Sequence, residues 1–312
     1  MNSLIILFIT DETALEKDKL LQLPVTQTTK ALAFSTFGFL CFSLTDVFSK
    51  FLTAENIPAS EVSFSFSVIS IVIFLALSGK LGGLRRTFQT KAPKIHFLRG
   101  LLQAPSQPLI FFALSSTSLA NAYAIIFLAP FLTAALAWPI LGEKGNRRIW
   151  FVIFTGFCGV LVAMRPDIQG FTLPIAALLI AALSIALRNS LIRRLPEGET
   201  HLSLVLYPCI AIAIGSLLPM IPNFMMPRGL SILWLLTGGV TFSVGLFCVS
   251  LAFRMAEAAK IAATQYSQLI WGVLFGILIF SDMPDLWTIL GLAIIAISGF
   301  VLIETKSKNN SA

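Results

Sequence analysis

Charge is scarce in this sequence. Only 12% of its 312 residues are Asp, Glu, Lys or Arg, against 56% hydrophobic, and so few charges cannot cover a water-soluble domain of this length. The four cysteines, Cys41, Cys158, Cys209 and Cys248, stand apart with no C-x-x-C pair and no neighbouring His, which excludes a zinc site or a disulfide framework and leaves buried free thiols. There is no G-x-x-x-x-G-K followed by Ser or Thr, so no ATP-binding loop drives the protein. Neither H-E-x-x-H nor a pair of aspartates occurs within the apolar runs, and Asp46 is the single acidic residue well inside one. An enzyme embedded in a membrane would need such a cluster, so no catalytic role, cofactor or metal is expected.

What the sequence does have is length in its apolar runs. Mean hydropathy is +0.88 over the whole chain, and runs fall at 31–51, 60–78, 97–114, 119–141 and 149–164, then at 171–191, 202–221, 230–253, 261–280 and 286–303. Each approaches the roughly 20 residues that cross a hydrocarbon core. The expected fold is all-α and membrane-embedded, with ten transmembrane helices. Residues 1–30 read as a cytoplasmic tail, because the apolar stretch 4–9 is short and lacks a preceding basic segment and a cleavage site. Residues 305–312 form a second tail.

The net charge of +7 could suggest nucleic acid, but the cations sit in short clusters between runs, so no nucleic-acid partner is expected. They report orientation instead. With both termini inside, the cytoplasmic side holds nineteen of the 22 Lys and Arg, and the opposite side holds Lys50, Arg165 and Arg228, a strong positive-inside bias.

Shifting the chain by 139 residues lays 99–143 on 238–282 without a gap. Identities are few: Gly100 meets Gly239, Ala113 meets Ala252, Ala120 meets Ala259, Ala124 meets Ala263 and Ile140 meets Ile279. Charge is more telling. The turn 115–121 carries no cation and 143–148 carries three, whereas Arg254 and Lys260 occupy the second copy of the former turn and 281–285 has none. The same helix pair is thus coded to sit upside down, as expected of two inverted five-helix repeats, 31–165 and 166–304, with a site at their interface. Gly272 and Gly276 align with Thr133 and Ala137, small residues that allow close helix approach.

Four stretches carry a family resemblance: SLTDVFSKFL (43–52), HFLRGLL (96–102), YAIIFLAPFLTAALAWPILGEK (123–144) and QYSQLIWGVLFGILIFSDMPDLWTILGLAIIAISGFVLI (265–303). They resemble the EamA-type drug/metabolite transporter family, including its S-adenosylmethionine and riboflavin transporter subgroups. The resemblance implies a basket of ten helices around a central cavity, an inner-membrane location, and a small-molecule substrate. Members similar to this chain often read Phe-Phe-Arg in the second span, where this sequence has Phe64, Ser65, Phe66 and Ser67. An anionic ligand is thereby less favoured.

A polar side chain in hydrocarbon is costly, so those kept inside spans are site candidates. Asp46 shares a helical face with Ser43 and Lys50; the competing account is a local Asp46–Lys50 pair at i, i+4. Laying TDVFSKF (45–51) on the end of the sixth span places Asp46 on Asn189 and Lys50 on Arg193, and Arg188 beside Asn189 reads as a cytoplasmic end that snorkels. Thr264 to Gln268 is the densest polar run in any span, with Gln265 and Gln268 at i, i+3 and Tyr266 and Trp271 close by; Tyr123 flanks its counterpart in the first half. Gln103, Ser106 and Gln107 lie around Pro105 and Pro108, where a kink would free backbone carbonyls. His96 and His201 read as interfacial. The substrate-binding set is therefore Asp46, Gln103, Gln107, Tyr123, Asn189, Gln265, Tyr266, Gln268 and Trp271. Amides with aromatic plates suit a planar heteroaromatic compound and Asp46 suits a cation, which fits S-adenosylmethionine or riboflavin moved by alternating access. An amino-acid or drug exporter of the same fold, a non-transporting scaffold or receptor, and a homodimer stay open. The lipid bilayer is the other expected partner.

Overall fold

The computed structural model describes residues 25–79, 83, 88, 90–141, 147–164, 172–192, 194–195, 200–256, 261 and 264–310. Residues 1–24 of the expected tail lie outside these, as do Lys144, Arg165, Arg193 and Lys260, on which part of the charge count rests. No strand occurs among the described residues. That is the physical outcome for long apolar segments without bound water, because a helix satisfies its own backbone hydrogen bonds.

The helices, in chain order, are α1 (Val25–Ala54), α2 (Ala59–Ser78), α3 (Pro93–Leu114), α4 (Leu119–Ile126), α5 (Leu128–Leu141), α6 (Arg147–Met164), α7 (Leu173–Ile192), α8 (His201–Met220), α9 (Leu230–Met255), α10 (Ser267–Phe280) and α11 (Leu286–Asn310). Among the described residues six stretches are long and apolar enough to cross a membrane: Gln27–Ala54, Ala59–Ser78, Leu119–Leu136, Leu173–Leu191, Leu202–Asn223 and Leu230–Ala252; Ile149–Ala163, Ser267–Phe280 and Leu286–Val301 are shorter apolar helices. α1 begins six residues before the expected first span. Among the described residues side-chain oxygens close three N-termini: Ser118 accepts from the Asn121 N–H at 3.3 Å, Thr200 from the Ser203 N–H at 3.1 Å and Asp285 from the Thr288 N–H at 2.8 Å. α3 runs unbroken through both Pro105 and Pro108, so the prolines remove two N–H donors without ending the helix.

The most extensive packing joins helices far apart in the chain: α1 on α9, α6 on α11, α3 on α7 and α2 on α8. Glycines permit it. Gly38 and Gly245 face each other across α1 and α9, each 3.1 Å from the other's carbonyl oxygen when measured from where a β-carbon would sit. Hydroxyl pairs add polar ties within this apolar packing: Thr45 with Thr241 at 3.0 Å and Ser70 with Ser243 at 2.7 Å. Outward faces are apolar, with Phe97, Phe151 and Leu218 each about 70% exposed or more, as suits lipid contact.

Two spans are interrupted. Phe127 separates α4 from α5 with φ −70° and ψ 0°, and Gln265 and Tyr266 form a turn just before α10. The Phe127 and Tyr266 rings meet at 5.4 Å.

Candidate functional site

Asp46 is buried in α1, 8% exposed. Its carboxylate accepts a 2.6 Å hydrogen bond from the Tyr123 hydroxyl of α4, and the Gln268 amide of α10 lies 3.5 Å from both the carboxylate and the Tyr123 oxygen. Three helices thus converge on one carboxylate. Tyr123 reaches it because α10 has Gly272 at the contact: a β-carbon there would overlap the tyrosine ring. The expected i, i+4 partner goes elsewhere. Lys50 pairs with Asp282 at 2.7 Å, lies 3.4 Å from the Thr117 carbonyl and sits 4.5 Å over the Phe280 ring. Among the described residues no cation neutralises Asp46.

Near this group the Ser267 hydroxyl and the Trp271 indole N–H are buried without a hydrogen-bond partner. Both flank Gln268, at i−1 and i+3. Trp271 stacks on Phe275 at 6.4 Å. Buried donors left unmade in an apolar setting are costly, so they stand available to a ligand.

A second polar group joins α3 and α7. Arg188 donates to the Gln103 side-chain oxygen and, at 3.0 Å, to that of Asn189. This corrects the snorkelling expectation: the guanidinium turns inward to a buried glutamine instead of outward to water. Gln107 joins neither group, and Gln265 contributes its carbonyl to the Gln268 N–H at 2.9 Å. Tyr266 packs against Gly299 of α11 and stacks with Phe300 at 5.4 Å. His96 is buried, with its ring 4.6 Å from that of Tyr207. The expected set therefore divides: Asp46, Tyr123 and Gln268 form one cluster, with Trp271 beside it, while Gln103 and Asn189 meet through an arginine that sequence reasoning set aside.

A cavity of about 500 Å³ opens between the α3–α4 turn and the start of α7, lined by Thr117, Ser118, Asn121, Thr172 and Pro174 among others. Its wall is tied to α11, since Thr288 and Asn121 hydrogen-bond at 3.0 Å. Thr117 also meets Lys50, so this cavity shares an end of the molecule with the Lys50–Asp282 pair. Among the described residues no group of His, Cys, Asp and Glu could hold a metal.

The EamA-like transporter family model matches residues 29–165. An S-adenosylmethionine uptake transporter of Rickettsia felis is 29% identical over 269 residues, covering 85% of this chain and 90% of its own. A riboflavin transporter of Vibrio cholerae is 25% identical over 276 residues, covering 87% and 92%. A solved crystal structure aligns with a TM-score of 0.57 at 18% identity, over 87% of this chain and 98% of that one, which shows a shared fold. With apolar helices throughout and a polar cluster among them, the chain carries an EamA-like transporter domain at residues 29–165 and is a multi-pass membrane transporter of small metabolites, not an enzyme.

Proposed function

We propose that the chain moves a small polar metabolite across the bacterial inner membrane as a secondary transporter, by alternating access around the Asp46–Tyr123–Gln268 cluster. One observation carries this reading. Among the described residues the Asp46 carboxyl group is held inside the helix bundle by two neutral donors and no cation, and a proton, a cation or a hydrogen-bonding guest would offset the cost of such a group. Trp271, Gln265 and Tyr266 would supply flat and amide surfaces beside it, with Gln103, Gln107 and Asn189 on the other side of the path.

The proposed frame is ten spans in two inverted halves with both termini cytoplasmic. Helix pairing supports it: α1 on α9 has its counterpart in α7 on α3, while α2 on α8 and α6 on α11 are each their own counterparts. The interruptions at Phe127 and Tyr266 also stand 139 residues apart, the shift that relates the halves.

S-adenosylmethionine and riboflavin are the first compounds to test, since similar proteins bear those names. Purified protein in liposomes should show saturable uptake of one of them, lost in Asp46→Asn and reduced in Gln268→Ala. Flat traces for both compounds and for a mixed amino-acid pool, from folded and inserted protein, would overturn the substrate reading and favour a scaffold.

A further inference from the structure

We propose that Arg188 is the core of a carboxylate-binding subsite, so that the transported metabolite bears an acidic group. The inference rests on the transporter reading above. Arg188 sits on α7 near the interface with α3, where Gln103 is 7% exposed. A guanidinium has five N–H donors and no acceptor. Two of its nitrogens give hydrogen bonds to neutral oxygens, those of Gln103 and Asn189, and the Nε–H is buried with no partner. Among the described residues no carboxylate pairs with it. A second arginine, Arg99 of α3, stands close enough to repel it.

A tie between α3 and α7 does not explain this arrangement. Two amides would join the helices equally well without placing a full charge among apolar spans. The side-on edge of a guanidinium, Nε–H with one terminal N–H, donates two parallel hydrogen bonds to a carboxylate, and the Nε–H of that edge is the donor left without a partner. Among the described residues, then, neither the Asp46 carboxyl group nor the Arg188 guanidinium has a partner of opposite charge. α4, which carries Tyr123, packs on both α7 and α10. A guest with a positive centre and a carboxylate complements both. This revises the expectation, drawn from the missing span-two arginine, that anionic ligands are less favoured, and it ranks zwitterions such as S-adenosylmethionine above neutral riboflavin.

Two experiments test this. In the first, purified wild-type protein is treated with phenylglyoxal, with and without acetate, and modification of Arg188 is mapped by mass spectrometry. Acetate should slow labelling of Arg188 several-fold; no labelling, or labelling indifferent to acetate, overturns the subsite. In the second, liposome uptake of S-adenosylmethionine is competed with its decarboxylated analogue. Wild type should prefer the carboxylate-bearing compound by about tenfold or more; Arg188→Gln should lose that preference and Arg188→Lys should keep part of it, with Asp46→Asn impairing both compounds alike. If wild type moves neither compound while acetate protects Arg188, the substrate reading fails and the subsite stands. If S-adenosylmethionine is carried and Arg188→Gln still discriminates, the subsite fails and the transporter reading stands. Should the glutamine variant not fold, the lysine variant and wild-type labelling still decide.

Discussion

At the scale of single residues, the distance between Tyr123 and Asp46 is set by an atom that is missing from Gly272. A methyl group there would push the ring off the carboxylate, so Gly272→Ala should cut uptake about as much as Tyr123→Phe, which removes a hydrogen bond to a charged group worth about 1.5–3 kcal/mol, or roughly tenfold or more. Initial uptake rates of the two variants, normalised to inserted protein, check this; a fully active alanine variant would show that the ring can reach the site by another route. Asp46, Gln268 and Tyr123 were legible in the sequence because a polar group inside an apolar run declares its own cost. Their mutual contact was not, since periodicity fixes which residues share a face of one helix and says nothing of residues 222 positions apart, such as Asp46 and Gln268. Arg188 was misread for a related reason: near the end of a run, a cation looks like an orientation signal until a buried partner such as Gln103 is placed opposite it.

At the scale of elements, the Lys50–Asp282 bridge fastens the far end of α1 to the residue beyond α10. Ser281 makes this geometry possible by adopting φ 55°, which turns the chain so that the Asp282 N–H caps the Gly276 carbonyl at 2.9 Å. Lys50→Glu should impair transport through repulsion, and the swap Lys50→Glu with Asp282→Lys should restore much of it; the coupling from a double-mutant cycle is expected near 1 kcal/mol for this partly exposed pair. Absence of rescue would reduce the bridge to a surface contact. The glycine seam between α1 and α9 makes a stability prediction. Gly38→Leu must force the helices apart, costing about 1–3 kcal/mol and lowering the thermal midpoint in detergent while leaving Asp46 chemically intact. Run lengths made the helices visible in the sequence, and the break at Phe127 has a signal there too, because Pro130 has no N–H to give the Ile126 carbonyl. In α3 the helix runs on past both Pro105 and Pro108.

At the scale of the molecule, the proposed topology makes a direct prediction. In a background with the four native cysteines replaced, a cysteine at Asn223 or Met283 should react with an impermeant maleimide added to intact cells, and one at Ser307 should react only after lysis. Labelling of Ser307 from outside would invert the orientation. The proposed orientation rests on the charge clusters, because Lys and Arg distribute by side; the pairing of spans was not readable, since lipid and helix offer an apolar face nearly the same welcome. That pairing bears on how the protein is made. Almost all the extensive packing runs between residues before 165 and residues after 172, so each half serves as the other's mould. The first helices to leave the ribosome must wait in the membrane with Thr45, Ser70 and Gln103 facing lipid, until Thr241, Ser243 and Arg188 are translated and arrive to cover them.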